Sequence, residues 1–145
     1  MLELPVVRLD PDLALPGYAR TGDAGLDLVA RVATTVAPGG GRALVATGIA
    51  VAIPPGFAGF VLPRSGSALR HGLTVANAPG LIDAGYRDEV KVILLNTDPA
   101  EPFEVHRGDR IAQLVIQAVE QVTLRPVGFL ESSERGAGGF GHSGC

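Results

Sequence analysis

No stretch of ten or more residues in this chain places apolar side chains at i, i+3, i+4 and i+7, which leaves no long amphipathic helix to build with. The chain offers short runs rich in Val, Ile and Thr instead. Twenty Gly and eleven Pro, with no collagen-like period, punctuate its 145 residues. The expected class is all-β. The runs are Val6–Leu9, Arg31–Val36, Arg42–Thr47, Ile49–Ile53, Ala58–Leu62, Glu89–Thr97, a strand beginning at Phe103, and one entered from Arg107 that reaches about Val122. In Glu89–Thr97 the residues Val90, Val92, Ile93, Leu94 and Leu95 leave hardly any polar face, which predicts cover on both sides. In the last strand Gln113, Gln117 and Gln121 share one side. That half-polar face suits an interface, and packing against a loop serves it equally well.

Composition narrows the class further. The length fits one ordinary domain, and 46% hydrophobic with 19% charged residues is globular rather than disordered. A net charge of -3 argues against stable nucleic-acid binding. The single cysteine, Cys145, cannot make an intramolecular disulfide. Met1–Pro5 has neither a basic nor an apolar leader region, and no run of about 18 apolar residues occurs. A soluble, cytoplasmic chain with no membrane partner is expected.

Chemistry gathers at five places. In Asn77-Ala-Pro-Gly-Leu-Ile-Asp-Ala-Gly-Tyr-Arg-Asp-Glu-Val-Lys91, Leu81 and Ile82 favour a strand, Asp83-Ala84-Gly85 supplies a turn, and Glu89 opens a second strand. The stretch reads as a β-hairpin, with Asp83, Tyr86, Arg87, Asp88 and Glu89 crowded at its tip. A hairpin needs only a Gly or Asn at its tip, so this is more chemistry than a turn requires, and a solvated charged turn is an equally good reading. Asp23-Ala-Gly-Leu-Asp-Leu28 reads as a turn feeding a strand. Arg64 to Gly72 reads as one or two helical turns, with Ser65 as N-cap and Gly72 as stop. A helix start suits phosphate oxygens, and Arg64 and Ser65 add donors there, although a capped surface helix has the same composition. Gly108-Asp-Arg-Ile-Ala-Gln113 is a turn entering a strand, and Arg135 to Cys145 holds a glycine-rich tail.

Taken together these five stretches resemble the five ordered motifs of the trimeric dUTP diphosphatases (dUTPases). Asp23–Leu28 is similar to the first, Pro63-Arg64-Ser65-Gly66 to the second, Asn77…Arg87 to the third, Gly108–Gln113 to the fourth and Arg135-Gly-x-Gly-Gly-Phe-Gly141 to the fifth. The resemblance implies a jelly-roll-like β-barrel or sandwich with one short helix, assembled as a homotrimer with shared active sites. Residues 1–134 would form the β domain and residues 135–145 a flexible arm closing over the site. The implied activity is hydrolysis of dUTP to dUMP and pyrophosphate, which limits uracil incorporation into DNA and supplies dUMP for thymidylate synthesis.

The resemblance also implies roles. Asp83 would be the general base, taking a proton from the attacking water. Arg64, Ser65, Gly66, Gln113 and Arg135 would hold the phosphates. Asn77 with the backbone at Leu81 and Ile82 would read uracil, Tyr86 would lie under the deoxyribose, and Lys91 would face sugar or phosphates. Phe140 would stack over the base, with Gly141 beside it in the arm. Mg²⁺ would come bound through the triphosphate without a direct protein ligand, Asp27 reaching it through water. Two departures stand out: Asp88 where the family usually has Gly, and His142 where Ser is usual. Two rivals remain on sequence grounds, a dCTP deaminase of shared fold and a catalytically idle trimer used as a binding module.

Overall fold

The computed structural model describes residues 2–139. Among them the order is β1 (Val6–Arg8), β2 (Leu26–Val29), β3 (Thr34–Val36), β4 (Gly41–Val51), β5 (Phe57–Leu62), α1 (Ser65–His71), β6 (Leu73–Val75), β7 (Gly80–Ile82), β8 (Glu89–Asn96), β9 (Phe103–Val105) and β10 (Arg110–Ala118). Two four-stranded sheets run β1-β4-β8-β6 and β2-β10-β5-β7, and β3 pairs with β9. Every pairing is antiparallel. No helix among the described residues is long and apolar enough to cross a membrane.

Period-2 alternation builds the core. Along β8, Val90, Val92, Leu94 and Asn96 point inward and are buried. Val90, Val92 and Leu94 meet Leu28 of β2, Val61 of β5, Ile82 of β7 and Leu114 of β10 in one cluster, so both sheets close on a shared interior. Leu94 is fully buried, and Leu94→Ala would cost roughly 2–5 kcal/mol. The buried Asn96 amide is satisfied: its Nδ2 donates to the carbonyls of Val36 and Glu101, and its Oδ1 accepts from the Asp98 amide.

Several expectations need correction. The Asn77–Lys91 stretch is not a hairpin. β7 pairs with β5 and β8 pairs with β4 and β6, so the Asp83–Asp88 turn carries the chain from one sheet to the other. Arg42–Thr47 and Ile49–Ile53 are not separate strands either, since β4 runs through Gly48 on a register shift between Ala46 and Ala50. The strand expected over Arg31–Val36 is only Thr34–Val36. α1 starts as expected, but its N-cap is Arg64, with no side-chain capping bond, and Ser65 is its first residue. Gly72 ends it in a left-handed conformation.

The outer faces differ as well. β8 is not covered on both sides within one chain: Lys91 and Ile93 are exposed, and Leu44, which pairs with Ile93, is 66% exposed. β10 stops at Ala118 instead of Val122; Gln113 is half-buried while Gln117 and Gln121 are exposed. The chain beyond β10 keeps Val122, Leu124, Phe129 and Leu130 largely in solvent.

Candidate active site

The expected site residues from Asp27 to Gln113 fall into two clefts with no lining residue in common. The first, about 470 Å³, lies where β2, β10 and the start of α1 meet, and is lined by Asp27, Arg64, Ser65, Gly66 and Gln113. Sheet register explains the gathering. Gln113 of β10 stands opposite Asp27 of β2 on one side and Leu62 of β5 on the other, and β5 leads through Pro63 into Arg64. Residues far apart in sequence are thus brought side by side across three neighbouring strands.

Charge pairing sets the side chains of this cleft. Arg64 Nε lies 3.1 Å from Asp27 Oδ1, and Arg110 Nη1 lies 3.2 Å from Asp27 Oδ2. Partly exposed pairs such as these contribute only about 0.2–1 kcal/mol to stability, so their main effect is orientation. Gln113 is held from two sides. Its Nε2 donates to the Pro63 carbonyl at 3.0 Å, and a Cβ at Gly25 would lie 2.5 Å from its Oε1. A side chain at residue 25 would press on Gln113 and force it to shift.

The second cleft, about 370 Å³, lies against the outer face of β8. Asn77, Leu81, Ile82, Asp83, Tyr86 and Lys91 line it, with Leu44 and Ile93 as an apolar wall. Asn77 sits against Gly80, where an added Cβ would lie 3.3 Å from Asn77 Nδ2. The Asp83 carbonyl accepts the Tyr86 amide at 3.1 Å, closing the turn and leaving the Asp83 side chain exposed. The Tyr86 hydroxyl donates to the Glu89 carbonyl at 2.9 Å. Arg87 turns back to the carbonyls of Ala84 and Tyr86 and does not line the cleft. Asp88 accepts from the Glu89 amide and lies 3.8 Å from Lys91 Nζ, so its extra charge is directed along the chain's own lysine.

Arg135 lines neither cleft; its Nε donates to the Gly138 carbonyl within a turn. Phe140, Gly141 and His142 lie outside the described residues, as does Cys145. No cluster of three or more His, Cys, Asp or Glu that could cage a metal occurs among the described residues. Sequence reasoning missed Asp23, Gly25 and Arg70 as cleft-lining residues, and Arg110 as the second partner of Asp27. Arg110 lies inside the fourth motif-like stretch, three residues before Gln113, which was the available signal. Nothing local marks Arg70, whose guanidinium lies across Gly66 one helical turn earlier.

Comparison with known proteins identifies the family. The family model described as dUTPase matches residues 12–144. The deoxyuridine 5'-triphosphate nucleotidohydrolase of Thermobifida fusca is 61% identical over 143 residues, covering 99% of this chain and 79% of the relative. The protein of the same name from Mycobacterium bovis is 57% identical, covering 97% and 94%. Among solved structures, the Staphylococcus bacteriophage 80alpha dUTPase with dUPNHPP superposes with a TM-score of 0.92 at 28% identity over all of both chains. A phage phi11 dUTPase, studied for coordination of a structural Mg(II) ion, superposes with a TM-score of 0.82 at 26% identity, covering 90% of this chain and all of that one. With a matching model over nearly its whole length and such close relatives, the chain belongs to the dUTPase family.

Proposed function

We propose that the chain hydrolyses dUTP to dUMP and pyrophosphate at a site shared in a homotrimer, with the second cleft from one copy, the first cleft from another and the arm from the third. The observation that carries this reading is the division of the motif residues between two clefts. One has the donors for a triphosphate and the other has the exposed carboxylate and the base-sized recess. A single chain offers each half without its complement. The exposed Leu44–Ile93 face and the uncovered residues beyond β10 supply the apolar surface that association would bury.

In this reading Arg64, Ser65, Gly66 and Gln113 bind the phosphate chain, and Arg135 joins them from the arm that also carries Phe140 and Gly141. Asn77 and the backbone of Leu81 and Ile82 read uracil. Tyr86 packs under the deoxyribose, where a 2′-hydroxyl would collide with the ring, and Lys91 faces the sugar and phosphates. Asp83 takes a proton from water as the water oxygen attacks the α-phosphorus. The bond from that phosphorus to the oxygen bridging to the β-phosphate breaks, and pyrophosphate leaves. Preset guanidinium and amide donors meet the charge that develops.

Mg²⁺ fits this donor set. Asp27 borders the first cleft with both oxygens paired to Arg64 and Arg110, and an ion carried on phosphate oxygens needs no direct protein ligand, so Asp27 would reach it through water. Bound there it would neutralise charge on the triphosphate. The test is pyrophosphate release from dUTP with Mg²⁺, run beside dTTP, dCTP and UTP. Selective turnover of dUTP is expected. Ammonia release from dCTP, or no turnover of any nucleotide, would refute the reading.

A further inference from the structure

Glu89 belongs to two structures at once. Its main-chain carbonyl accepts the Tyr86 hydroxyl at 2.9 Å, on the cleft side. Its carboxylate points the other way, where Oε1 accepts the Gly48 amide at 2.8 Å and lies 3.3 Å from Arg31 Nη1. The Glu89 side chain is only 12% exposed, so an unpartnered charge there would be costly and the pairing holds it in one place.

Gly48 makes the arrangement possible. The β4–β8 ladder shifts register between Ala46 and Ala50, which takes the Gly48 amide out of regular pairing and frees it for Glu89. Gly48 has φ +76°, and a Cβ there would lie 3.0 Å from Asp10 Cβ and 3.2 Å from Leu13 Cδ1. The neighbouring Thr47 hydroxyl, buried, donates to the Val90 carbonyl at 2.6 Å and pins the next residue of β8.

Arg31 is itself fixed. Its Nη2 donates to the Leu9 carbonyl at 3.1 Å, and its Nε lies 3.4 Å from Asp10 Oδ2. Arg107 then grips both Asp10 oxygens, at 2.6 and 2.9 Å, and donates to the Arg31 carbonyl at 2.7 Å. A chain of alternating charge therefore runs Arg107, Asp10, Arg31, Glu89, and its last member carries the acceptor that holds the tyrosine ring. A surface turn needs no such anchoring, and none of these four side chains lines the cleft.

We infer that Glu89 and Arg31 are positioning residues for the sugar gate: they fix the carbonyl that holds Tyr86, and so set how strongly the enzyme rejects a nucleotide bearing a 2′-hydroxyl. This rests on the reading of Tyr86 given above. The ring can exclude a 2′-hydroxyl only if it cannot yield, and the hydroxyl-to-carbonyl bond is what stops it yielding.

The experiment measures kcat/KM for dUTP and for UTP in the full-length enzyme carrying Glu89→Gln, Arg31→Met or Arg31→Lys, with melting temperatures recorded. The UTP-to-dUTP ratio should rise by roughly tenfold or more in Glu89→Gln and Arg31→Met, chiefly because UTP is used better. General damage does not improve a poor substrate. Arg31→Lys should lie between them and wild type. In a Tyr86→Phe background, where the hydroxyl is already gone, Glu89→Gln should add little. An unchanged ratio in the folded variants, or full additivity with Tyr86→Phe, overturns the proposal. Tyr86→Ala separates the two layers. If it leaves UTP rejection intact, the sugar-gate reading fails and this inference with it. If it abolishes rejection while Glu89→Gln and Arg31→Met do not, only the positioning role fails. Should Glu89→Gln not fold, Arg31→Lys, at a partly exposed side chain, carries the same comparison.

Discussion

Arg64 Nε lies 3.1 Å from Asp27 Oδ1, so the acid of the first motif aims the arginine of the second. Arg110 holds the other carboxylate oxygen at 3.2 Å, which leaves Asp27 between two cations at the mouth of the first cleft. Asp27→Asn keeps the shape and one acceptor but loses the charge that orients both guanidinium groups. The expected result is a higher KM for dUTP and a fall of roughly tenfold in kcat/KM, about 1.4 kcal/mol, with the melting temperature little changed. Steady-state kinetics beside a thermal melt checks it.

Gly25→Ala tests the crowding around Gln113. The new Cβ would lie 2.5 Å from Gln113 Oε1 and 3.1 Å from Gln113 Cβ, so rotating the amide cannot relieve the contact by itself. Either the backbone of β10 moves or Gln113 leaves its place. Overpacking should cost about 1–3 kcal/mol of stability, and kcat/KM for dUTP should fall at least roughly tenfold. Unchanged activity would mean that the placement of Gln113 does not matter.

Asp83→Asn preserves the turn, because the bond that closes it uses the Asp83 carbonyl. What the variant removes is basicity. Turnover should fall roughly a hundredfold or more, while titration with a non-hydrolysable dUTP analogue gives near wild-type affinity. Near-normal turnover would exclude Asp83 as the base.

Acid should act on the Asp10–Arg107 pair. The Arg107 guanidinium, bonded to both carboxylate oxygens, holds the Asp10 carboxyl at about 2 against an ordinary 3.8, with a smaller opposing push from desolvation. A carboxyl depressed on folding favours the folded state above its unfolded pKa, and that contribution is lost as pH falls through the folded value. Asp10→Asn should therefore lower the melting temperature near neutral pH. The gap to wild type should narrow between about pH 4 and pH 2 and close below that. A gap independent of pH across that window would show that charge plays no part.

Most of the residues lining the two clefts stood out in the sequence because polar and charged side chains gather in five short stretches. What could not be read was pairing. Asp83-Ala-Gly carries the same turn signal whether its flanking strands pair with each other or cross between sheets, and the partner of β7 is β5, which lies before α1 in sequence. Gly48 likewise looks like a stop, yet the Glu89 carboxylate takes up its amide and β4 continues. The role of Ser65 at the helix start turned on one residue of register, which composition does not fix. Asp27, Arg64 and Arg110 meet only because β2, β5 and β10 are neighbours in one sheet. Phe140 and Gly141 lie outside the described residues, so their part in the arm rests on the motif alone.

The central claim is that two clefts, from two copies, make one site. It is tested most directly by co-expressing an Asp83→Asn chain with an Arg64→Ala chain and assaying hybrid oligomers whose composition is verified by mass. Each variant alone should be nearly inactive, since one lacks the base and the other the phosphate fork. In hybrids an intact second cleft can face an intact first cleft, and dUTP turnover should return to a sizeable fraction of wild type. Hybrids of verified composition with no recovered turnover, or a fully active monomer at micromolar concentration, would contradict the account.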